Sequence, residues 1–242
     1  HWKRLYPVCL PEYEHEEEGV NVYTFMARLS RLAEKGDAFV GDAGSAIYAV
    51  SQGLTLEHDN QRYIPSSAMA TMGYTVPASI GISAALGDRR VLAITGDGSL
   101  QQNIQELQTI LHYNFPVKLF IWNNDGYLSI RASQKNYFEE RYIGEGERSG
   151  VSIPDTLKIC NAYGIKASRI SKASQLDEAI KEALDYPGPF VLEIITPPEQ
   201  PIVPTVSSRV NEDGSMSSRP LEDMAPFLDR EEYRTNLLID EV

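Results

Sequence analysis

The sequence is poor in cysteine and short of basic residues, and each shortage narrows the range of functions. Its 242 residues include only two cysteines, Cys9 and Cys160, which lie far apart and outside any zinc-type spacing. Neither a disulfide framework nor a zinc knuckle is expected, and a reducing, cytoplasmic location is predicted. The 22 lysines and arginines stand against 34 aspartates and glutamates, a net charge of -12. This excess of acid disfavours nucleic acid and anionic membranes as partners.

Long apolar runs are also missing. The most apolar stretch, residues 117–122, falls far short of the roughly 20 residues that cross a bilayer, so no membrane segment is predicted. The remaining composition is ordinary for a globular protein, with 42% hydrophobic residues, 17 glycines and 14 prolines. A chain of this length can therefore bury a sizeable core.

Composition divides the chain into three predicted segments. Residues 1–19 contain prolines and an acidic run, which is typical of a linker that leaves an upstream region. Residues 20–196 carry the apolar patterns of a folded domain. Residues 197–242 open with clustered prolines and continue with a serine-rich stretch, so they are predicted to form an extended C-terminal arm, helical in part between 221 and 238.

The domain at 20–196 is predicted to be a doubly wound α/β fold. Short apolar strands alternate with helices, which is typical of a mostly parallel sheet with helices on both faces. Strands are predicted at 38–40, 91–94, 117–122, 166–170 and 190–195. Helices are predicted from the Asn21 cap to Gly36, at 75–86, through Leu107 and Leu111, and at 153–163 and 174–184.

Two polar turns follow neighbouring strands of this predicted sheet. Residues 96–99 read Gly-Asp-Gly-Ser, and residues 123–126 read Asn-Asn-Asp-Gly. Both turns emerge at the carboxyl edge of a parallel sheet, where open α/β folds bind ligands. A carboxylate oxygen of Asp97, the amide oxygen of Asn124 and the carbonyl of Gly126 would form the hard oxygen ligands that magnesium prefers.

The same edge is suited to a phosphate. The backbone N–H groups of Gly98 and Ser99 open a helix, and the positive end of a helix favours anions. Metal and diphosphate would then be bound together. The alternative is that both segments are ordinary tight turns, since glycine, aspartate and asparagine dominate turns everywhere.

Together these motifs resemble the diphosphate-binding domain of thiamine diphosphate enzymes in the acetolactate synthase and pyruvate decarboxylase group. That family combines Gly-Asp-Gly with Asn-Asn some two dozen residues later, and the similarity extends over most of the chain, including residues 71–81. The resemblance implies that Asp97, Asn124 and the Gly126 carbonyl hold magnesium. It implies cofactor contacts from Gly44, Ser45, Ala70, Met72, Gly96, Gly98, Ser99, Asn124 and Tyr127.

Met72 receives a particular role from this resemblance. Its side chain would wedge the cofactor into a bent shape, while its backbone amide and the Ala70 carbonyl would meet the aminopyrimidine ring. Its alternative is a buried core methionine, the commoner role for that residue type. Gly44 and Ser45 would contact the diphosphate, with a plain turn from strand to helix as their alternative.

The resemblance also implies an activity and partners. Enzymes of this group decarboxylate a small 2-oxo acid, and the cofactor acts as the electron sink. Their essential glutamate lies in a separate pyrimidine-binding domain, upstream or in another subunit, so this chain alone is predicted to bind cofactor weakly and to be inactive. A homodimer or homotetramer is expected, and FAD could lie only in an upstream domain.

Departures from the acetolactate synthase pattern leave the product open. The pair Gly126-Tyr127 is closer to the decarboxylase version, and neither Trp2 nor Trp122 occupies the place of the substrate-selecting tryptophan. Arg131 could meet an acidic group on the substrate, or it could be a solvated surface arginine. The alternatives for the whole are a simple 2-oxo acid decarboxylase and a non-catalytic, regulatory thiamine diphosphate-binding domain. A common nucleotide-binding domain is disfavoured, because its glycine motifs are missing.

Overall fold

A six-stranded parallel sheet lies at the centre of the structure, with the strand order β2-β1-β3-β4-β6-β5. The computed structural model describes residues 2–87, 89–210 and 213–239. The strands of the sheet are β1 (Ala38–Gly41), β2 (Arg62–Pro65), β3 (Val91–Gly96), β4 (Val117–Asn123), β5 (Lys166–Ile170) and β6 (Phe190–Ile195). The doubly wound α/β fold predicted from the sequence is confirmed, and so are its five predicted strands.

Ten α-helices accompany the strands in the described ranges. They are α1 (Trp2–Leu5), α2 (Val22–Leu32), α3 (Gly44–Gly53), α4 (Thr75–Leu86), α5 (Asp97–Leu100), α6 (Leu107–His112), α7 (Leu128–Tyr137), α8 (Thr156–Tyr163), α9 (Leu176–Asp185) and α10 (Arg230–Asn236). Asn21 caps α2 as predicted, because its side chain accepts a hydrogen bond from the Tyr23 N–H at 2.9 Å. None of the described helices combines the length and apolar character that a membrane span requires.

The central strands are buried on both faces. Alternate residues such as Val91 and Ala93 pack against α4, α6 and α8. On the other face, the Phe25 ring of α2 lies 5.3 Å from Phe120 and 5.8 Å from Trp122, centroid to centroid. Burial on both sides explains why these strands appear in the sequence as continuous apolar runs.

The sheet reverses its winding between β1 and β3. The chain passes from β1 to β2 at one edge, and then returns to place β3 on the other side of β1. In open α/β sheets such a switch point leaves a crevice at the carboxyl ends of the two strands, because the following loops diverge there. Asp42 and Gly96 lie at this crevice.

Apart from the four-residue helix α1, three elements around the sheet were not predicted from the sequence. Strand β2 is a four-residue edge strand, α3 has no side-chain cap, and α7 buries only Leu128. Each lacks the apolar period or the cap by which sequence patterns are recognised.

The helix predicted after the Gly-Asp-Gly turn is interrupted. Asn103 has φ -140° and ψ 34°, inside the 3-10 turn Gln101–Glu106 that separates α5 from α6. Its side-chain amide donates a hydrogen bond to the Gly73 carbonyl at 2.8 Å, so a tertiary contact replaces regular helix geometry here.

The chain forms two compact units, residues 1–200 and 201–242. The smaller unit contains α10 and two short antiparallel strands, β7 (Ser208–Val210) and β8 (Met216–Ser218), which the sequence did not predict. Residues 211–212 and 240–242 of the predicted arm lie outside the described residues. The predicted boundaries at 19 and 196 stay predictions.

Candidate functional site

An open cleft lies at the carboxyl edge of the sheet, beside the switch point between β1 and β3. It contains most of the residues that the sequence singled out, and both polar turns contribute to it. Its lining includes Gly44, Ser45, Met72, Gly96, Asp97, Gly98, Ser99, Asn124, Gly126, Tyr127 and Ser129. The topology therefore brings together segments that are far apart in the sequence, as predicted.

Asp97 is the acidic group of this cleft, and it is almost fully buried. Its two carboxylate oxygens accept hydrogen bonds from the N–H groups of Gly98 at 2.7 Å and Gly126 at 3.1 Å. Burial raises the pKa of Asp97 to about 6, and these two N–H groups offset only part of that effect. A carboxylate in this position gains from a bound cation, because a cation favours its ionised form.

The side chain of Asn124 places an unsatisfied polar atom in the same cleft. Its side-chain oxygen is buried and has no hydrogen-bond partner in the part of the chain that the structure describes. An orphaned buried amide oxygen is unfavourable unless something outside the chain satisfies it. No group of three or more His, Cys, Asp or Glu side chains lies within metal distance among the described residues. A cation here would thus be held by mixed oxygen ligands, which fits magnesium.

Gly126 occupies a position that only glycine tolerates. Its φ is +129°, and a Cβ atom there would lie 2.1 Å from the Glu145 carbonyl oxygen. The same carbonyl accepts the Tyr127 N–H at 2.8 Å. The loop that carries Asn124 and Gly126 is therefore pressed closely against residues 145–146.

Gly98 makes a comparable close approach. A Cβ atom on it would lie 2.3 Å from Cε1 of Tyr127, so the Tyr127 ring lies directly against its backbone. The helix that begins beside it, α5, has only four residues, so its dipole is weaker than the sequence predicted. A longer helix, α3, begins at Gly44 in the same cleft and presents its first backbone N–H groups there.

Asp42 is a site residue that sequence reasoning missed. It is fully buried at the end of β1, and one of its oxygens accepts the hydroxyls of Thr95 at 2.8 Å and Ser99 at 2.6 Å. Burial raises its pKa above the usual value, although these hydrogen bonds oppose the shift. The only signal in the sequence was an acidic residue directly after a short apolar strand.

The Ser99 hydroxyl both donates and accepts a hydrogen bond inside the protein. It donates to Asp42 and accepts the Gly73 N–H at 2.8 Å. Ser99 thus ties the Gly-Asp-Gly turn to the segment that carries Met72, and its backbone N–H is the group that remains for a ligand.

Met72 lines the cleft and is 37% exposed, so the alternative of a buried core methionine is wrong. A side chain in that position is available to a bound molecule. Ala70 lies two residues earlier, outside the cleft lining, in a left-handed conformation with φ 44° and ψ 45°. Its predicted carbonyl contact stays a prediction.

Arg131 is not a solvated surface residue. Its side chain is 11% exposed, and it pairs with Glu145 at 2.5 Å. Its other donors bond to the backbone carbonyls of Asn124, Asp125 and Pro198. The guanidinium is thus engaged within the chain, and the predicted contact with a substrate finds no support in this arrangement.

The fold and the cleft define a class: a doubly wound α/β domain with a polar cleft at a topological switch point of its sheet. The family model described as "Thiamine pyrophosphate enzyme, C-terminal TPP binding domain" matches residues 42–194, more than half of the chain. The chain belongs to this family.

Curated relatives agree with this assignment. The acetolactate synthase large subunit of Cyanidium caldarium is 31% identical over 85% of this chain and 34% of its own length. Acetolactate synthase 1, chloroplastic, of Zea mays is 32% identical over 85% of this chain and 32% of its length. Acetolactate synthase 3, chloroplastic, of Brassica napus is 36% identical over 61% of this chain. The chain spans about a third of the length of the first two relatives.

Proposed function

We propose that this chain binds thiamine diphosphate together with magnesium, as the C-terminal part of an acetolactate synthase-like enzyme. The observation that carries the proposal is the unpartnered buried oxygen of Asn124, which lines the same cleft as the buried Asp97 carboxylate. The two groups supply an amide and a carboxylate oxygen for one cation, and the Gly126 carbonyl is the third ligand that we propose.

Other residues of the chain bind the cofactor itself. The backbone N–H groups of Gly44, Ser45, Gly98 and Ser99 bind the diphosphate, and Met72 supports the rest of the molecule from the side of the cleft. Bound thiamine diphosphate supplies the electron sink for decarboxylation of a 2-oxo acid. The protein positions the cofactor and provides its electrostatic environment. Ser99 links the Gly-Asp-Gly turn to Asp42 and to the Gly73 N–H, next to Met72.

The rest of the enzyme is also part of the proposal. A pyrimidine-binding domain, upstream or in a partner subunit, provides the essential glutamate, and the assembly is a homodimer or homotetramer. This chain alone is then inactive, and its compartment is the cytoplasm. A simple 2-oxo acid decarboxylase remains the second candidate, because Gly126 and Tyr127 form the decarboxylase-like pair. A non-catalytic regulatory domain would bind the cofactor through the same residues.

Replacing Asp97 with asparagine tests the site. We expect the Asp97→Asn variant to lose magnesium-dependent thiamine diphosphate binding by about 100-fold or more, because a buried ligand charge is removed. Isothermal titration of the chain with the cofactor, with and without magnesium, measures this. Asp125→Asn is the matched control, since Asp125 lies in the same loop but is exposed, and its affinity should stay within about threefold.

The outcomes separate the possibilities clearly. Equal affinities of the Asp97→Asn and Asp125→Asn variants would contradict the metal assignment. If the unmodified chain shows no binding, the titration is repeated with a pyrimidine-binding domain added. Continued absence of binding would reject the proposed function.

Binding should also depend on pH. The cation needs the ionised Asp97 carboxylate, whose pKa is about 6 in the free protein, so protons compete with magnesium as the pH falls. We expect full affinity at pH 7.5 and a progressive loss below about pH 6. The terminal phosphate of the cofactor titrates in the same region. The affinity of free thiamine diphosphate for magnesium must therefore be measured over the same pH range. If cofactor binding by the protein changes with pH only as much as this free affinity does, the prediction is contradicted.

A further inference from the structure

We infer that Arg131 and Glu145 form a brace that holds the loop Asn124–Gly126 in its cation-binding shape. This inference rests on the proposed function, because the loop carries the proposed metal ligands. Neither residue touches the cation position by our assignment, so both are positioning residues. The sequence left Arg131 open between a substrate contact and a solvated surface position, and the structure assigns it this other role.

The guanidinium of Arg131 holds the backbone of the loop directly. Its Nη1 donates to the Asn124 carbonyl at 3.2 Å, and its Nη2 donates to the Asp125 carbonyl at 2.9 Å. Nη1 also donates to the Pro198 carbonyl at 2.6 Å, beyond the end of β6. Two consecutive loop carbonyls thus accept hydrogen bonds from one planar guanidinium group. This fixes the direction of the peptide groups between them.

Glu145 holds both the arginine and the loop. Its carboxylate accepts from Arg131 Nε at 2.5 Å, and its backbone carbonyl accepts the Tyr127 N–H at 2.8 Å. The backbone around Glu145 is itself fixed, because the Ser149 hydroxyl accepts the Glu145 N–H at 2.8 Å. The brace therefore contacts the loop through the side chain of Arg131 and through the backbone carbonyl of Glu145.

Burial makes this pair suited to positioning. The Arg131 and Glu145 side chains are 11% and 8% exposed, so the ion pair lies largely out of water. Buried ion pairs contribute little net stability, because desolvation cancels most of their attraction, but they impose one geometry. Partners that orient the direct ligands of a metal commonly affect its affinity strongly.

Three variants of the 242-residue chain test the inference: Arg131→Met, Arg131→Lys and Glu145→Gln. The first readout is amide hydrogen exchange of peptides covering residues 124–131 in the ligand-free chain. We expect exchange to rise about tenfold or more in Arg131→Met, because two loop carbonyls lose their donor. Arg131→Lys keeps the charge without the planar fork, so we expect an intermediate increase.

The second readout is the affinity for Mn²⁺, followed by its paramagnetic resonance signal in the presence of thiamine diphosphate. We expect the Arg131→Met and Glu145→Gln variants to bind Mn²⁺ about 10- to 100-fold more weakly. Arg28→Met is the matched control, since Arg28 pairs with Glu14 at 2.7 Å far from the loop. It should leave both readouts unchanged.

The outcomes distinguish this inference from the proposed function. Unchanged exchange of the loop in all three variants would overturn the brace, whether or not the chain binds Mn²⁺. Unchanged Mn²⁺ affinity in variants whose loop exchanges faster would overturn the positioning role. Faster loop exchange in variants of a chain whose unmodified form does not bind Mn²⁺, even with a pyrimidine-binding domain added, would reject the proposed function and keep the brace. If Arg131→Met does not fold, Arg131→Lys and Glu145→Gln decide the outcome.

Discussion

Replacing Gly126 with alanine is expected to abolish magnesium-dependent thiamine diphosphate binding and to lower the free energy of unfolding by about 3 kcal/mol. Two physical causes add together. The φ of +129° is strained for any residue with a Cβ atom, and that Cβ would lie 2.1 Å from the Glu145 carbonyl oxygen. Because the obstacle is backbone, it cannot move aside as a side chain can. The loop must shift, and the proposed metal ligands shift with it.

Denaturant unfolding and cofactor titration measure the two effects of Gly126→Ala. The control is Gly81→Ala, inside α4, where a Cβ atom would meet nothing within 4 Å. Alanine should be neutral there, or stabilising by about 0.5 to 1 kcal/mol. A Gly126→Ala variant that binds the cofactor as tightly as Gly81→Ala would show that the loop does not carry the site.

Replacing Glu193 with alanine is expected to cost about 3 kcal/mol of stability, through the loss of a buried charged partner. Glu193 lies fully buried in the central strand β6. Its carboxylate accepts from the Asn123 amide at 2.7 Å and from the Arg169 guanidinium. The estimate stays at the lower end of the range for broken buried pairs, because Arg169 is 35% exposed and keeps its contact with Asp155.

This change should also reach the cofactor site. Asn123 uses its side-chain oxygen to accept the Asp125 N–H at 3.1 Å, within the loop that carries the proposed metal ligands. The control for Glu193→Ala is Glu199→Ala, which breaks an ion pair with Lys135 whose two side chains are about half exposed. Exposed pairs contribute about 0 to 1 kcal/mol. Equal unfolding midpoints for the two variants would contradict the role given to Glu193.

The site itself was predictable in part, and the residues that were missed share a property. The ligand candidates Asp97 and Asn124 were found because each directly follows an apolar strand in a turn of recognisable composition. Asp42, Glu145 and Glu193 were missed, because their partners are distant in the sequence. The contact between Asp42 and Ser99, for example, joins residues 57 positions apart. Local patterns carry no information on such pairs.

The fate of Arg131 shows the same limit. Its sequence position, just beyond the loop that carries the proposed metal ligands, suggested either a substrate contact or a solvated surface. Its actual environment depends on residues 145 and 198, which fold back onto the loop from two other parts of the chain. Only the tertiary structure could therefore separate binding of a substrate from support of the loop.

The sequence by itself determined the fold class, the buried strands and the edge of the sheet at which the polar turns meet. It could do so because periodic burial and turn composition are local properties, and because parallel strands place their carboxyl ends at one edge. The tertiary structure alone decided how the loop is held, which donors remain for a ligand, and where α3 and β2 lie. These features depend on contacts between segments that are distant in the sequence. Such contacts contribute free energy only once the chain has folded.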